Sequence, residues 1–172
     1  MAVYALGHQV PIIHPDAYLA AEAVIIGSVT IGAESSIWPG AVLRGDDGEI
    51  VIGARTSVQD GAIIHTTHFH PTTVGDECVI GHLAHLEGCT IHDRALVGSG
   101  SVVLHRAVVE SGALVGAGAV VSGGTVVPTG AMALGIPAKI RPDAVTAEMI
   151  SLGMASYVDR SHRYRAELRR LD

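Results

Sequence analysis

Aliphatic residues recur at every sixth position through most of this 172-residue chain. One run is Ile52, Val58 and Ile64. After a short insertion come Val74, Ile80 and Leu86, then Ile91, Val97, Val103, Val109, Val115, Val121 and Val127. Ile26, Ile31, Ile37 and Leu43 open the same comb with one short step. Four residues after most of these sits a small side chain, as at Thr56, Ala62, Cys78, Ala84, Ala95, Ser101, Ala107, Ala113, Ala119 and Thr125. Glycine often follows the aliphatic directly, at Gly53, Gly75, Gly81, Gly98 and Gly116.

A period of six is neither the turn of a helix nor the alternation of a strand. It fits a short strand followed by a tight turn. The aliphatic points inward, the small residue fits a crowded corner, and glycine supplies unusual backbone angles. Three such units make one coil of a triangular prism, and coils stack by parallel strand pairing. The spacing therefore predicts an all-β parallel β-helix over residues 1–140, with the repeat clearest from roughly residue 12 onward. The comb ends at Pro137. Pro142 and Asp143 read as a helix start, with Val145, Met149 and Leu152 on one face. Gly153 is expected to interrupt it, with a second helix from about Ala155 to Leu171. Residues 141–172 thus read as helices packed along the prism. Arg160, Arg163, Arg169 and Arg170 alternate with Asp159 and Glu167, the mark of a solvated helix face.

Composition agrees with a regular interior. Aromatics are 3% and glycines number 21, so no bulky, irregular core is available. The net charge of −6, with no basic cluster before the tail, argues against a nucleic-acid surface. The opening "MAVYALGHQVP" lacks a basic stretch followed by an apolar run, and no apolar segment is long enough to span a bilayer. A cytoplasmic location is expected. Cys78 and Cys89 lie in apolar surroundings and read as buried reduced thiols rather than a pair.

Candidate chemistry concentrates in "IIHTTHFHP" and "HLAHLEGC". His65 follows Ile64 and Glu87 follows Leu86. The steps 64→74→80→86 make one coil, so His65 and Glu87 are expected to stack on one corner, about 4.8 Å apart. Two ligands held roughly 2.0–2.1 Å from a tetrahedral zinc lie about 3.3 Å from each other, within reach of such a pair. His82, two residues past Ile80, projects from a different face. A neighbouring chain in a closed threefold ring could bring it to the same ion. His85 is an alternative donor, but by register it is expected to leave from a different corner.

Taken in order, "RGDDGEIVIG", "SVQDGAIIH", "VIGH", "EGCTI" and the ending "GIPAK" make the chain resemble the gamma-class carbonic anhydrases among hexapeptide-repeat proteins. The resemblance covers nearly the whole chain. It implies a left-handed coil, a homotrimer, zinc or ferrous iron between subunits, and hydration of carbon dioxide to bicarbonate. His65 and His82 match the first two histidine ligands. The third histidine usually precedes "GC", where this chain has Glu87. Arg44, Asp46 and Asp60 match residues that form ion pairs across the subunit boundary and shape the site. Gln59 matches a glutamine that hydrogen-bonds the reacting water or bicarbonate, and Tyr157 a tyrosine that approaches the site. The loop "TTHFHPTT" carries no acid, so His68 and His70, whose ordinary pKa is near neutral, are the candidates for proton export. Two alternatives share the fold: a noncatalytic trimeric metal- or anion-binding scaffold, and an acyltransferase using acyl-coenzyme A.

Overall fold

The computed structural model describes residues 1–172, apart from the side chain of Leu152. The chain winds into a parallel β-helix with three faces. On one face the inward residues Ile25, Leu43, Ile64, Leu86, Val103 and Val121 stack in register. On the second, Ile13, Ile31, Ile52, Val74, Ile91, Val109 and Val127 stack. On the third, Leu19, Ile37, Val58, Ile80, Val97, Val115 and Ala133 do so. Nearly all of these are sealed from solvent and form one continuous core along the axis. The hexapeptide comb is thus the packing of a left-handed parallel β-helix.

Two sequence expectations need correction. Ile25, not Ile26, points inward: Ile25 is fully buried and pairs with Leu43. The comb there has no short step. Its real irregularity is the long strand Val42–Ile52, where "DDGE" is inserted and the register with Val24–Ile31 shifts between Gly27 and Val29. Second, the glycines after the aliphatics do not take positive φ, which falls instead at turn positions such as Gly61, Gly100 and Gly118. They are needed for close approach. A Cβ at Gly53 would lie 2.5 Å from the carbonyl carbon of Gly75 in the next coil. One rung at ~4.8 Å spacing leaves no room for it.

The tail also differs. A single helix, α1 (Ala147–Glu167), runs through Gly153 without a break. A glycine inside a helix costs about 1 kcal/mol relative to alanine. Its neighbour across the interface is Val79, whose Cγ2 would lie 3.9 Å from a Cβ, an ordinary contact, so nothing in the packing requires glycine here. The helix does not start at Pro142–Asp143 because Asp143 has φ +50°. Ala144 and Val145 then donate backbone N–H bonds to the Gly130 carbonyl, and Thr146 is the cap residue. The face turned to the prism carries Ile150, Tyr157, Ser161 and Tyr164, while Met149 is exposed. Leu152 lies outside the described residues. Tyr157 and Tyr164 meet Trp38 edge-on at 6.0 and 5.1 Å between ring centres. The Trp38 indole N–H is shared by the hydroxyls of Ser36 and Ser57, both at 3.0 Å.

At the C-terminal end the chain folds over its last coil. Lys139–Arg141 pairs antiparallel with Met132–Leu134. Gly135 and Ala138 exchange backbone hydrogen bonds with Val120. No helix among the described residues is long and apolar enough to cross a membrane.

Cys78 and Cys89 are free and buried, and burial pushes both thiols up to about 12. At pH 8 roughly one molecule in ten thousand is then a thiolate, the reactive form. A disulfide reagent such as Ellman's should leave the native protein unlabelled and modify two thiols per chain once it is denatured. Rapid labelling of either cysteine in the native state would contradict this burial.

Candidate functional site

The site is built where strands Val42–Ile52, Ile63–His65 and His85–Glu87 lie side by side. Arg44 pairs in register with His65, and His65 with Glu87. The winding thus stacks His65 on Glu87, as the step count predicts. His65 Nδ1 is 3.6 Å from Glu87 Oε1. On its other side His65 Nε2 is 3.3 Å from Asp46 Oδ1. Asp46 is itself gripped by the Arg44 guanidinium within the same chain. The Thr72 hydroxyl donates to the His65 carbonyl and accepts the Gly88 N–H at 2.8 Å, tying together the backbones on either side of the corner.

Two neighbours of Glu87 add to the picture. His85 Nε2 lies 3.2 Å from Glu87 Oε2. Register does not send His85 to a different corner: residues two apart on a strand share a face, and both belong to His85–Glu87. His105 Nε2 lies 3.3 Å from Glu87 Oε1, and its ring centre is 5.9 Å from that of His70. Sequence reasoning assigned nothing to His105 or Thr72. The signal for His105 was its place two residues past Val103, which stacks on Leu86 where Val102–Val103 pairs with His85–Glu87. That register hangs it over the Glu87 corner.

Electrostatics favours charged acids here. Burial pushes the Glu87 carboxyl up, but hydrogen bonding from His85 and the charge and hydrogen bond of His105 outweigh it and leave its pKa below the usual value. Asp46 is likewise lowered: burial raises it, and hydrogen bonds from Arg44 and its own backbone, with the Arg44 charge, more than offset that. Both are carboxylates at neutral pH.

His82 sits apart, on an exposed corner. Its Nδ1 is 2.9 Å from Asp60 Oδ2. An imidazole that gives its Nδ1 proton to a carboxylate keeps a lone pair on Nε2, the usual arrangement of a metal-binding histidine. Gln59 is 4% exposed and stacks between Trp38 and Gly81 along one corner. Its side-chain amide makes no hydrogen bond among the described residues, although the residue is buried. Tyr157 packs on Trp38 beneath α1. His68 and Phe69 stand at the exposed tip of the inserted loop.

The donor chemistry fits a metal ion in part. The His65–Glu87 separation is within a few tenths of an ångström of the ~3.3 Å expected for two ligands of a tetrahedral zinc. Among the described residues no three His, Cys, Asp or Glu side chains of one chain are grouped to hold an ion. One protomer offers two donors at one corner and an oriented imidazole at another.

A triangular parallel prism of six-residue steps with a histidine–carboxylate corner defines a class of protein. The pattern "Bacterial transferase hexapeptide (six repeats)" matches residues 11–45, 71–105 and 88–123, and the chain belongs to the hexapeptide-repeat family. Relatives differ in the activity their names carry. "Probable carbonic anhydrase" of Methanocaldococcus jannaschii is 43% identical over 134 residues, 78% of this chain and 84% of that protein. Carnitine operon protein CaiE of Citrobacter koseri is 37% identical over 98% of this chain and 86% of its own length. Gamma carbonic anhydrase 1, mitochondrial, of Arabidopsis thaliana is 37% identical over 56% of this chain, which spans 37% of that longer protein. A Bacillus cereus protein whose crystal structure carries an acetyltransferase assignment superposes with TM-score 0.94 at 34% identity, covering 97% of this chain and 98% of the other.

Proposed function

We propose that the protein is a gamma-carbonic-anhydrase-like enzyme that interconverts carbon dioxide and bicarbonate as a homotrimer. In this reading a zinc ion, or ferrous iron, is held by His65 and Glu87 of one protomer and His82 of the partner subunit. The observation that carries it is the stacking of His65 on Glu87 at 3.6 Å; at another corner of the same chain stands an imidazole whose Nδ1 is already engaged by Asp60. Two imidazoles and a carboxylate are an established catalytic zinc set and also suit ferrous iron. When bound, zinc supplies hydroxide at neutral pH by lowering the pKa of water to about 7.

The chain's own residues supply the rest. Asp46, held by Arg44, fixes the His65 ring. Asp60 fixes His82. The Gln59 amide, which makes no hydrogen bond among the described residues, orients the attacking oxygen or the bicarbonate product. His68 and His70 on the inserted loop carry protons to buffer. Glu87 places a negative charge where relatives carry a neutral imidazole, so water at this site ionises at higher pH.

Stopped-flow hydration of carbon dioxide by zinc-loaded and by anaerobically iron-loaded protein tests the activity. A rate above buffer that disappears on chelation is expected; buffer rates with both metals would reject the enzyme. Glu87→His should raise the rate at pH 7 about tenfold, because one pKa unit changes the ionised fraction tenfold. An unchanged rate would reject Glu87 as the handicap.

The Bacillus cereus structure favours one other reading, an acyltransferase using acyl-coenzyme A. Thermal shift with acetyl-coenzyme A separates them. Strong stabilisation that survives chelator would replace the hydration reading.

A further inference from the structure

One edge of the prism carries a vertical ladder of charged residues. Backbone hydrogen bonds of 2.8–3.2 Å link Arg55 to Ala33, Glu77 to Ala54, Arg94 to Asp76 and Gly112 to Asp93, so positions 34, 55, 77, 94 and 112 occupy the same corner of successive coils. All five take left-handed backbone angles, with φ of 56°, 53°, 58°, 56° and 69°. The first four read Glu34, Arg55, Glu77, Arg94. Side chains that could have been glycine are here acid, base, acid, base. The alternation is used: Arg55 grips Glu77 through Nε at 3.1 Å and a terminal nitrogen at 2.8 Å. His162 of α1 faces Glu34 at 3.5 Å.

The ladder stops one acid short. After Arg94 the next rung is Gly112. Glu77 is engaged by Arg55, and Arg94 makes no ion pair and no side-chain hydrogen bond among the described residues. In that place is a cavity of about 140 Å³ lined by Glu77, Arg94, Gly112 and, from α1, Ala147, Ile150 and Met154. An engineered apolar cavity of about 150 Å³ admits benzene. The cavity therefore has a polar rim, where exposed Arg94 stands beside Ser151 and the Arg55-paired Glu77, an apolar wall, and room for a molecule of about six heavy atoms.

We propose that this cavity binds a short-chain monocarboxylate, with the carboxylate on Arg94 in the place of the missing acid and the alkyl tail against Ile150 and Met154. A planar guanidinium pairs with a carboxylate through two parallel hydrogen bonds, a stronger contact than a neutral one. The apolar wall favours a carboxylate with a tail over a bare inorganic anion. The site is independent of the histidine corner and of any metal.

Butyrate is the probe. Saturation-transfer NMR on the full-length protein should show transfer to butyrate, strongest at its methyl group, and little to butanol, which lacks the charge. Arg94→Ala should weaken binding at least about tenfold. Gly112→Glu should do the same by a different route. It restores the missing rung with an internal acid, at a corner where Glu34 and Glu77 already hold the same backbone angle and where a Cβ meets nothing within 4 Å. Unchanged far-ultraviolet circular dichroism of at least one variant separates lost binding from lost fold. Absence of transfer in the wild type, equal transfer to butanol, or wild-type binding by a folded Arg94→Ala or Gly112→Glu protein would overturn the proposal.

Discussion

His82→Ala is expected to lose metal binding by more than a hundredfold and to show no hydration above buffer, with its fold intact. In the single chain this histidine looks expendable. It is exposed, on a different corner from His65, and among the described residues its ring has one partner, Asp60 at 2.9 Å. Nothing in one protomer would suffer from its removal, so denaturation midpoints at low protein concentration should barely move. In the proposed reading its importance rests on a threefold arrangement that would carry it to the His65–Glu87 corner. Asp60→Asn is the graded comparison. It keeps the imidazole but weakens its orientation, which in metal sites costs roughly 10–100-fold. Equilibrium dialysis with zinc, alongside stopped-flow rates, reads both. If His82→Ala binds zinc as the wild type does, the ion is not held between protomers, and the His65–Glu87 pair is a structural contact.

The second large effect is on stability. Gly98→Ala should destabilise the protein by about 3 kcal/mol or more, the upper range for forcing a methyl group into packed space. A Cβ at Gly98 would lie 2.5 Å from the Ala117 nitrogen and 2.8 Å from the Gly116 carbon and Val115 oxygen. All three belong to the backbone of the next coil, which cannot turn aside as a side chain would. Gly81, Gly98 and Gly116 form a column, so the disturbance spreads to both neighbouring rungs. Gly100→Ala is the control. There a Cβ meets nothing within 4 Å, and the cost is only that of φ +66°, roughly 1–2 kcal/mol. Urea denaturation followed by circular dichroism measures the difference. Equal losses at the two positions would show that backbone angle, not crowding, sets the need for glycine.

The fold was legible because the comb carries one decision per six residues, and each decision is hydrophobic. Thirteen aliphatics from Ile52 to Val127 point to the axis as read. Where the reading slipped, local chemistry was ambiguous. Val24, Ile25 and Ile26 are all aliphatic, and only the register with Leu43 selects the inward one. Gly153 looked like a helix break because glycine disfavours helix by about 1 kcal/mol, a local penalty that the packing of α1 on the prism overrides. The stacking of His65 on Glu87 was legible because counting steps suffices to bring two corner residues together. Thr72 was not, because it reaches that corner through a side-chain direction that a period of six does not encode, and for His105 register gave the corner but not the direction of the ring. The partner of His82 was also hidden. Asp60 lies 22 residues earlier, which is one coil, but on a turn whose geometry only the folded backbone sets.

The antiparallel strand Lys139–Arg141 and the segment from Gly135 to Ala138 close over two of the three faces of the final coil. A stack of parallel rungs with identical spacing is in principle open-ended, since each exposed rim offers the hydrogen-bonding template that the next rung would use. Pairing the rim with a strand of opposite direction, flanked by charged side chains, removes that template. The molecule is therefore closed at this end, and adding further rungs there into a filament is blocked.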